Sequence, residues 1–400
     1  MTYQAILGAS VFLLLIHAVE RLCRAAAFPS VIALIAGGML AKPLLDGVGI
    51  TLNWAGSLVP IIGTVGLVLI VLEGALDMEL KRDRLGLLGA TFTLATLGFL
   101  ACLLPLALLA WNMLGLNPVQ SLLLATPFAV ISSAVAIPAS AILTRENREF
   151  VVYESSMSDI LGVLVFFALL GADGQVDAAL INLAGGGLVS LLLSLLCALV
   201  LMWVLTKVDG HIRFVPLLAG LFALYATGKL LHLSPLIMVL MFGLLLNNPG
   251  MISRFRPFSS WVSESYAATL AEFRTLVVEL TFVVRGFFFV LLGYWTDIAI
   301  FASMEAWLWT LATLGIVYLG RYPLLRLFRS PGDATILTWM APRGLITVLL
   351  FLTVRDSLPL PDYLGGAVLL LVLASSLLML ISRTVKGMPS PEHVKEFRNL

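Results

Sequence analysis

At 400 residues the chain is long enough for two or three soluble domains, but 60% hydrophobic and 12% charged residues, with a mean hydropathy of +1.05, exclude them, because a soluble chain carries about twice that charge fraction. The 24 basic and 23 acidic residues nearly cancel, to a net charge of +1, so no global field draws nucleic acid, and disordered, collagen-like and coiled-coil chains are excluded as well. Cys23, Cys102 and Cys197 lie too far apart for a CxxC redox or metal motif or a disulfide framework. The composition is that of a polytopic membrane protein.

A bilayer core takes roughly 20 apolar residues per helix, which predicts about thirteen spans when the chain is cut at its charged or Gly/Pro-rich breaks. The first, 4–22, has no Lys or Arg before Arg21 and reads as a retained helix, not a cleaved signal. The second, 29–41, is short; 55–76 and 85–111 follow. The fifth, 119–143, carries Thr126, Pro127, Ser132, Ser133 and Pro138 inside an apolar run, and the sixth is 150–171. After a polar loop from Gly171 to Asp177, a Leu-rich seventh span, 178–206, could join two halves. The rest are 213–231, 234–247 (again short), 272–296, 304–328, 333–354 and 363–383.

Basic residues in alternate connections test this count. Arg21, Arg24, Lys81, Arg82, Arg84, Arg145, Arg148, Lys207, Arg213, Arg254, Arg256, Arg274, Arg326, Arg329, Arg383, Lys386, Lys395 and Arg398 all fall on one side. Opposite them stand only Lys42, Lys229 and Arg355. The bias predicts an outer N-terminus and a cytoplasmic C-terminus, and a helix count wrong by one would have scrambled it.

A charge inside a lipid-embedded helix is costly and is by default a functional hypothesis. Glu73, eight residues before Lys81, and Asp159, ten after Glu149, both lie roughly 12–15 Å from the cytoplasmic edge at 1.5 Å per residue. The same measure brings Arg285, Arg321 and Arg343 to that depth. In the stretch Tyr153-Glu154-Ser155-Ser156-Met157-Ser158-Asp159, Ser155 shares a helical face with Asp159, and Glu154 shares a neighbouring one with Ser158. One carboxylate with hydroxyls suits a dehydrated Na⁺, a hard ion that prefers oxygen, and the same carboxylate binds a proton; competition would couple the two. The opposing reading has Asp159 neutralised by an Arg and locking helix packing. Glu154, nearer the cytoplasm and level with Arg321, reads as half of a structural ion pair. Arg285 is read as buried and paired, with Glu279 or Glu73 as candidates. His17 and Glu20 read as snorkelling or capping groups, and Lys229 and His232 as headgroup contacts.

Proline removes a backbone donor, and freed carbonyls in a membrane are tolerated only where they face a cavity or a ligand. The fifth span holds two prolines and the twelfth holds Ala341-Pro342-Arg343-Gly344 at its middle. Each is second in a group of three, 4–6 and 11–13, and the groups run in opposite orientations. That pattern is the signature of an inverted-repeat transporter with discontinuous helices crossing at a midplane site.

Five stretches together resemble the cation:proton antiporter superfamily, and within it the sodium/hydrogen exchanger family and its NhaP/NapA-like members. They are Phe28-Pro29-Ser30 leading into Gly37-Gly38, Val71-Leu72-Glu73-Gly74-Ala75-Leu76-Asp77, Glu154 through Asp159, Phe287-Phe288-Phe289-Val290-Leu291-Leu292-Gly293, and Ala341-Pro342-Arg343-Gly344. The resemblance implies an all-α polytopic membrane protein of about thirteen transmembrane helices, with inverted repeats and two crossed broken helices, the NhaA-like antiporter fold. It implies interface helices 1–3 (1–84) and 8–10 (207–296), core helices 4–6 (85–171) and 11–13 (303–383), a linking helix 7 (178–206) and a cytoplasmic tail (384–400). It also implies a homodimer in the cell membrane, a bacterial or archaeal inner membrane, working by elevator-like alternating access. Asp159 would carry Na⁺ or H⁺, assisted by Ser155 and Ser158. Glu73 would approach from the interface, Glu154 would pair with Arg321, and Arg343, counted with Glu154, Arg321 and Arg285 among the structural ion pairs, would hold the crossed helices.

Two departures stand out. Ser158 occupies the position where the family has Asn or Asp, and neither Thr126-Pro127 nor Ser132-Ser133, the two candidates for the family's Thr-Asp-Pro, contains an Asp. With one core carboxylate and an Arg that stays charged, one-for-one electroneutral exchange is expected. A channel or sensor on the same fold and a sodium-coupled organic anion symporter are the alternatives. No nucleophile with a base, phosphate loop or metal cluster appears, so neither an enzyme nor a cofactor is expected.

Overall fold

A computed structural model of the chain describes residues 2–25, 28–47, 58–77, 85–172, 177, 189, 192–200, 214–231, 235–252, 264–296 and 298–380. Among them there is no strand. The helices are α1 (Thr2–Ala25), α2 (Ser30–Gly47), α3 (Leu58–Asp77), α4 (Leu85–Leu114), α5 (Pro118–Ala129), α6 (Ser133–Ala139), α7 (Arg145–Leu170), α8 (Phe214–Leu230), α9 (Pro235–Asn247), α10 (Glu264–Trp295), α11 (Met304–Phe328), α12 (Pro331–Trp339), α13 (Leu345–Ser357) and α14 (Tyr363–Leu378). Of the seventh span, 178–206, residues 192–200 are helical. The rest of that span, apart from residue 189, lies outside the described residues, as do Lys81, Arg82, Arg84, Lys207, Arg213, His232, Arg254, Arg256, Arg383, Lys386, Lys395, Arg398 and the tail 384–400.

Local chemistry sets the ends that matter for the site. Asn117 caps α5 by accepting from the Gln120 N–H at 2.8 Å, while its own N–H donates to Gln120 Oε1 at 3.2 Å; Pro118 follows at the first turn, where its missing donor costs nothing. Thr144, Ser303 and Ser330 cap α7, α11 and α12. The fifth and twelfth spans are each broken in two, as α5/α6 and α12/α13. Pro127 and Pro138 sit within helices; the fifth span opens three residues after Pro127, at Val130–Ser132, because one lost hydrogen bond does not end a helix. The second span extends to eighteen residues, whereas α9 keeps thirteen.

Among the described residues five helical segments, Ser30–Gly47, Gly89–Leu114, Pro118–Ala139, Arg145–Leu170 and Tyr266–Trp295, are long and apolar enough to cross a bilayer, beside shorter apolar helices. Their outward faces are apolar too. On α4, Leu100, Leu104, Leu108 and Trp111 are all exposed in a stripe at helical spacing. Such a stripe would be a liability in water and is the expected face toward lipid.

Packing sorts the described helices into two groups. In one, α10 lies along α2 and α3, α9 packs on α3 and α8, and α1 leans on α2. In the other, α4 packs against α5, α7 and α11, and α11 against α12 and α14. The groups meet where α7 touches α3 and α9, where α13 touches α3, and where α14 touches α2. Gly38 and Gly293 explain the close α2–α10 crossing: a Cβ on Gly38 would strike the Val290 carbonyl, and one on Gly293 the Ile35 carbonyl, so neither backbone could yield.

Candidate functional site

Breaking a helix strands backbone donors and acceptors where no water is at hand, so each must find a partner. At the first break the Ile131 N–H donates to Ser158 Oγ at 2.9 Å, the Ser132 N–H to the Pro342 carbonyl at 2.9 Å, and the Ser133 N–H to Asp159 Oδ2 at 3.3 Å. The carbonyls that end α5 are met by Arg343, whose Nε donates to Phe128 O at 2.8 Å and Nη2 to Ala129 O at 3.4 Å. Its Nη1 donates to Ala341 O at 2.8 Å, and its N–H to Ser375 Oγ at 2.9 Å. A guanidinium suits this task because it presents a planar fan of donors and stays charged at the negative end of a helix. The two breaks touch closely enough that a Cβ on Gly344 would collide with Ser132 Oγ.

This corrects the reading of Arg343 as half of an ion pair. Among the described residues it has no carboxylate partner; three carbonyls spread over two breaks hold it. Pro342 sits at the second break, and Ser132 and Ser133 at the first. Thr126 lies inside α5, where its hydroxyl donates to Leu122 O at 2.8 Å. Ser132-Ser133 is therefore the stretch that meets the crossing.

Glu154 of α7 and Arg321 of α11 form a two-pronged pair, Nη1 to Oε1 at 2.5 Å and Nη2 to Oε2 at 2.7 Å, while Arg321 Nε donates to Leu337 O of α12 at 3.1 Å. Both side chains are buried. Satisfied at both ends, the pair fixes α7, α11 and α12 in one register; with one partner removed it would leave a buried charge. Arg285 lies elsewhere, with Nη2 3.6 Å from Glu20 Oε1 across the α10–α1 contact. The sequence does not show this partner: it offers Glu279 and Glu73 as candidates, and Glu20 reads there as a snorkelling or capping group. Nothing in residue spacing links a span-1 acid to a span-10 base.

Asp159 is buried on α7, and its two oxygens have different surroundings. Oδ2 accepts from the Ser133 N–H, whereas Oδ1 has no hydrogen-bond partner among the described residues. Beside Asp159 is a cavity of about 20 Å³ walled by α7, by Ile70, Val71 and Gly74 of α3, and by Leu236 and Leu240 of α9. Ser155 and Ser158, expected beside the ion, point their chemistry elsewhere: Ser155 Oγ donates to Val151 O at 2.7 Å, and Ser158 Oγ holds Ile131. Ser156 is on the cavity wall instead. Glu73 is half-buried on α3, next to Gly74. A second cavity of about 670 Å³ opens between the two helix groups beyond Phe167 of α7. Thr64, Tyr225, Trp295, Thr353, Arg355 and Asp356 line it, together with Lys229, whose ammonium is 5.8 Å from the Phe167 ring centroid. Lys229 thus faces a cavity and not only headgroups.

Arg343→Met keeps much of the side-chain volume but unpairs three buried carbonyls, each worth about 1–3 kcal/mol. The expected outcome is a fall of several degrees or more in the thermal unfolding midpoint of the detergent-solubilised protein. Arg343→Lys should recover only part of it, because one ammonium cannot reach both breaks.

A family model described as "Sodium/hydrogen exchanger, transmembrane" matches residues 8–387. Two solved structures of the sodium proton antiporter MjNhaP1 from Methanocaldococcus jannaschii superpose on the chain. The structure at pH 8 does so with a TM-score of 0.72 at 22% identity, covering 95% of both chains. The one from a three-dimensional electron-microscopy map gives 0.71 at 21% identity, again covering 95% of both. No curated protein sequence matches the chain. The structural likeness carries the crossed, broken-helix antiporter fold, and the family match runs over nearly the full length: the chain belongs to the sodium/hydrogen exchanger family of transmembrane antiporters.

Proposed function

We propose that the protein exchanges a monovalent cation, Na⁺ in the first instance, for H⁺, with Asp159 as the group that carries either one. The observation that supports this most is the asymmetry of its carboxylate. Oδ2 is tethered to the helix break while Oδ1 is buried without a partner beside a cavity between the two helix groups. A carboxylate so placed holds one positive charge at a time, proton or cation, and exclusion of one by the other is what couples them.

In this reading α4–α7 and α11–α14 form the moving core, and α1–α3 with α8–α10 the interface part through which two copies pair, with span 7 joining them. Sliding of the core past α3 and α9 carries Asp159 between the two faces of the membrane, in elevator fashion, and Glu73 of α3 approaches it from the static side. The 670 Å³ cavity near Lys229 and Arg355 serves as the outer vestibule, which agrees with an outer N-terminus, a cytoplasmic C-terminus and a location in the cell membrane. Glu154 is held at both oxygens by Arg321, and Arg343 by backbone carbonyls, so Asp159 is taken as the exchangeable charge of the crossing, and exchange is one-for-one and electroneutral.

In everted vesicles loaded with a pH-sensitive dye, Na⁺ addition should dissipate the proton gradient, and Asp159→Ala should abolish that response; retained exchange in the variant would remove Asp159 from the mechanism. Cation flux without proton movement would favour the channel alternative instead. In proteoliposomes, an imposed potassium diffusion potential should leave the exchange rate unchanged. A rate that follows the potential would show that net charge crosses with each cycle.

A further inference from the structure

Along α7 the polar side chains divide between two faces. Ser158 and Gly162 look toward the first break, the one accepting from the Ile131 N–H and the other lying so close to Val130 that a Cβ there would collide with it. Ser156, Asp159, Ile160 and Val163, at spacings of three and four, look toward α3 and α9 and line the 20 Å³ cavity. Asp159 sits on the border, with one oxygen for each side. On the cavity wall Ser156 and Asp159 are the only polar side chains among the described residues; the rest are Ile, Val and Leu with Gly74.

Ser156 Oγ is buried and makes no hydrogen bond among the described residues, and the same is true of Asp159 Oδ1. A hydroxyl in mid-helix normally donates to the carbonyl four residues back, as Ser155 and Thr126 do here. A buried polar atom left unpaired costs about 1–3 kcal/mol, so two of them on residues that line one cavity, in an otherwise apolar wall, call for a shared occupant. The cavity accommodates a body the size of one water molecule, for which about 10–15 Å³ suffices. A hard monovalent cation satisfies both atoms at once, since each offers an oxygen lone pair and hard cations take oxygen ligands.

We propose that Ser156, through its Oγ, is a direct ligand of the transported cation and sets its affinity, while Ser155 and Ser158 keep to their backbone partners. The proposal rests on the exchange reading and goes beyond it by naming the hydroxyl that accompanies Asp159. A proton needs only the carboxylate, so loss of the Ser156 oxygen weakens cation binding and leaves proton binding in place.

The test is the split between apparent KM and maximal rate for Na⁺ and Li⁺ in proteoliposomes. Ser156→Ala should raise KM for the cation about tenfold, with the maximal rate within about twofold of the parent. Ser156→Thr, which restores the oxygen, should return KM to within about threefold. Ser156→Cys keeps the volume while exchanging a hard oxygen for a soft sulfur, and should behave like the Ala variant; it supplies the comparison with Thr if the Ala variant fails to fold. Unchanged KM in Ser156→Ala, or equal KM in the Thr and Cys variants, would overturn the assignment. Asp159→Asn run alongside separates the two levels. Exchange abolished there with KM unchanged in Ser156→Ala refutes only the Ser156 ligand, whereas exchange retained in Asp159→Asn refutes the reading on which it rests.

Discussion

A helix interrupted inside a membrane must find partners for every peptide group it sets free, and most of the core follows from how that demand is met. Two helices break at the same place and serve one another. The Pro342 carbonyl receives the Ser132 N–H, and Arg343, carried by the second break, receives the carbonyls that end the first. What the breaks cannot supply comes from α7, as Ser158 Oγ and Asp159 Oδ2. The crossing is thus a set of mutual hydrogen bonds around a fixed positive charge, and Asp159 belongs to it by Oδ2.

That partial membership is what the proposed exchange draws on. Had both oxygens been taken up by the break, Asp159 would be a structural group like Glu154, whose two oxygens are both held by Arg321. Had neither been held, the side chain could rotate away from the cavity. Tethering Oδ2 orients the group, and Oδ1, without a hydrogen-bond partner among the described residues, is left on a residue that lines the cavity between α7, α3 and α9. Packing limits are visible in the same place: Gly344 lets the breaks approach, and Gly162 admits Val130 beside α7.

Much of this was legible in the sequence for identifiable reasons. Charges are scarce enough that each buried one could be placed by counting along a helix, which is how Asp159, Glu154 with Arg321, and the two broken spans became visible. The basic residues supplied an expected orientation in the same way, because lipid forces spans to alternate. What could not be read were contacts between spans. Arg343 appeared to need a carboxylate, since a sequence shows charges but not orphaned carbonyls; Arg285 met Glu20 on a helix more than two hundred residues away. The sequence reading sets Ser155 and Ser158 beside Asp159 and does not weigh Ser156, because periodicity alone does not say which side of α7 meets α3 and α9; it is Ser156 that lines the cavity there.

The central claim, that proton and cation compete for one carboxylate, is tested most directly by the apparent KM for Na⁺ measured across pH in proteoliposomes. Lowering the pH fills Asp159 with protons, so competition predicts that KM rises steadily on the acid side, approaching tenfold per pH unit, while the maximal rate at saturating Na⁺ holds steady. A KM independent of pH, with the maximal rate alone falling as protons are added, would mean that the two ions bind at separate places, and would contradict it.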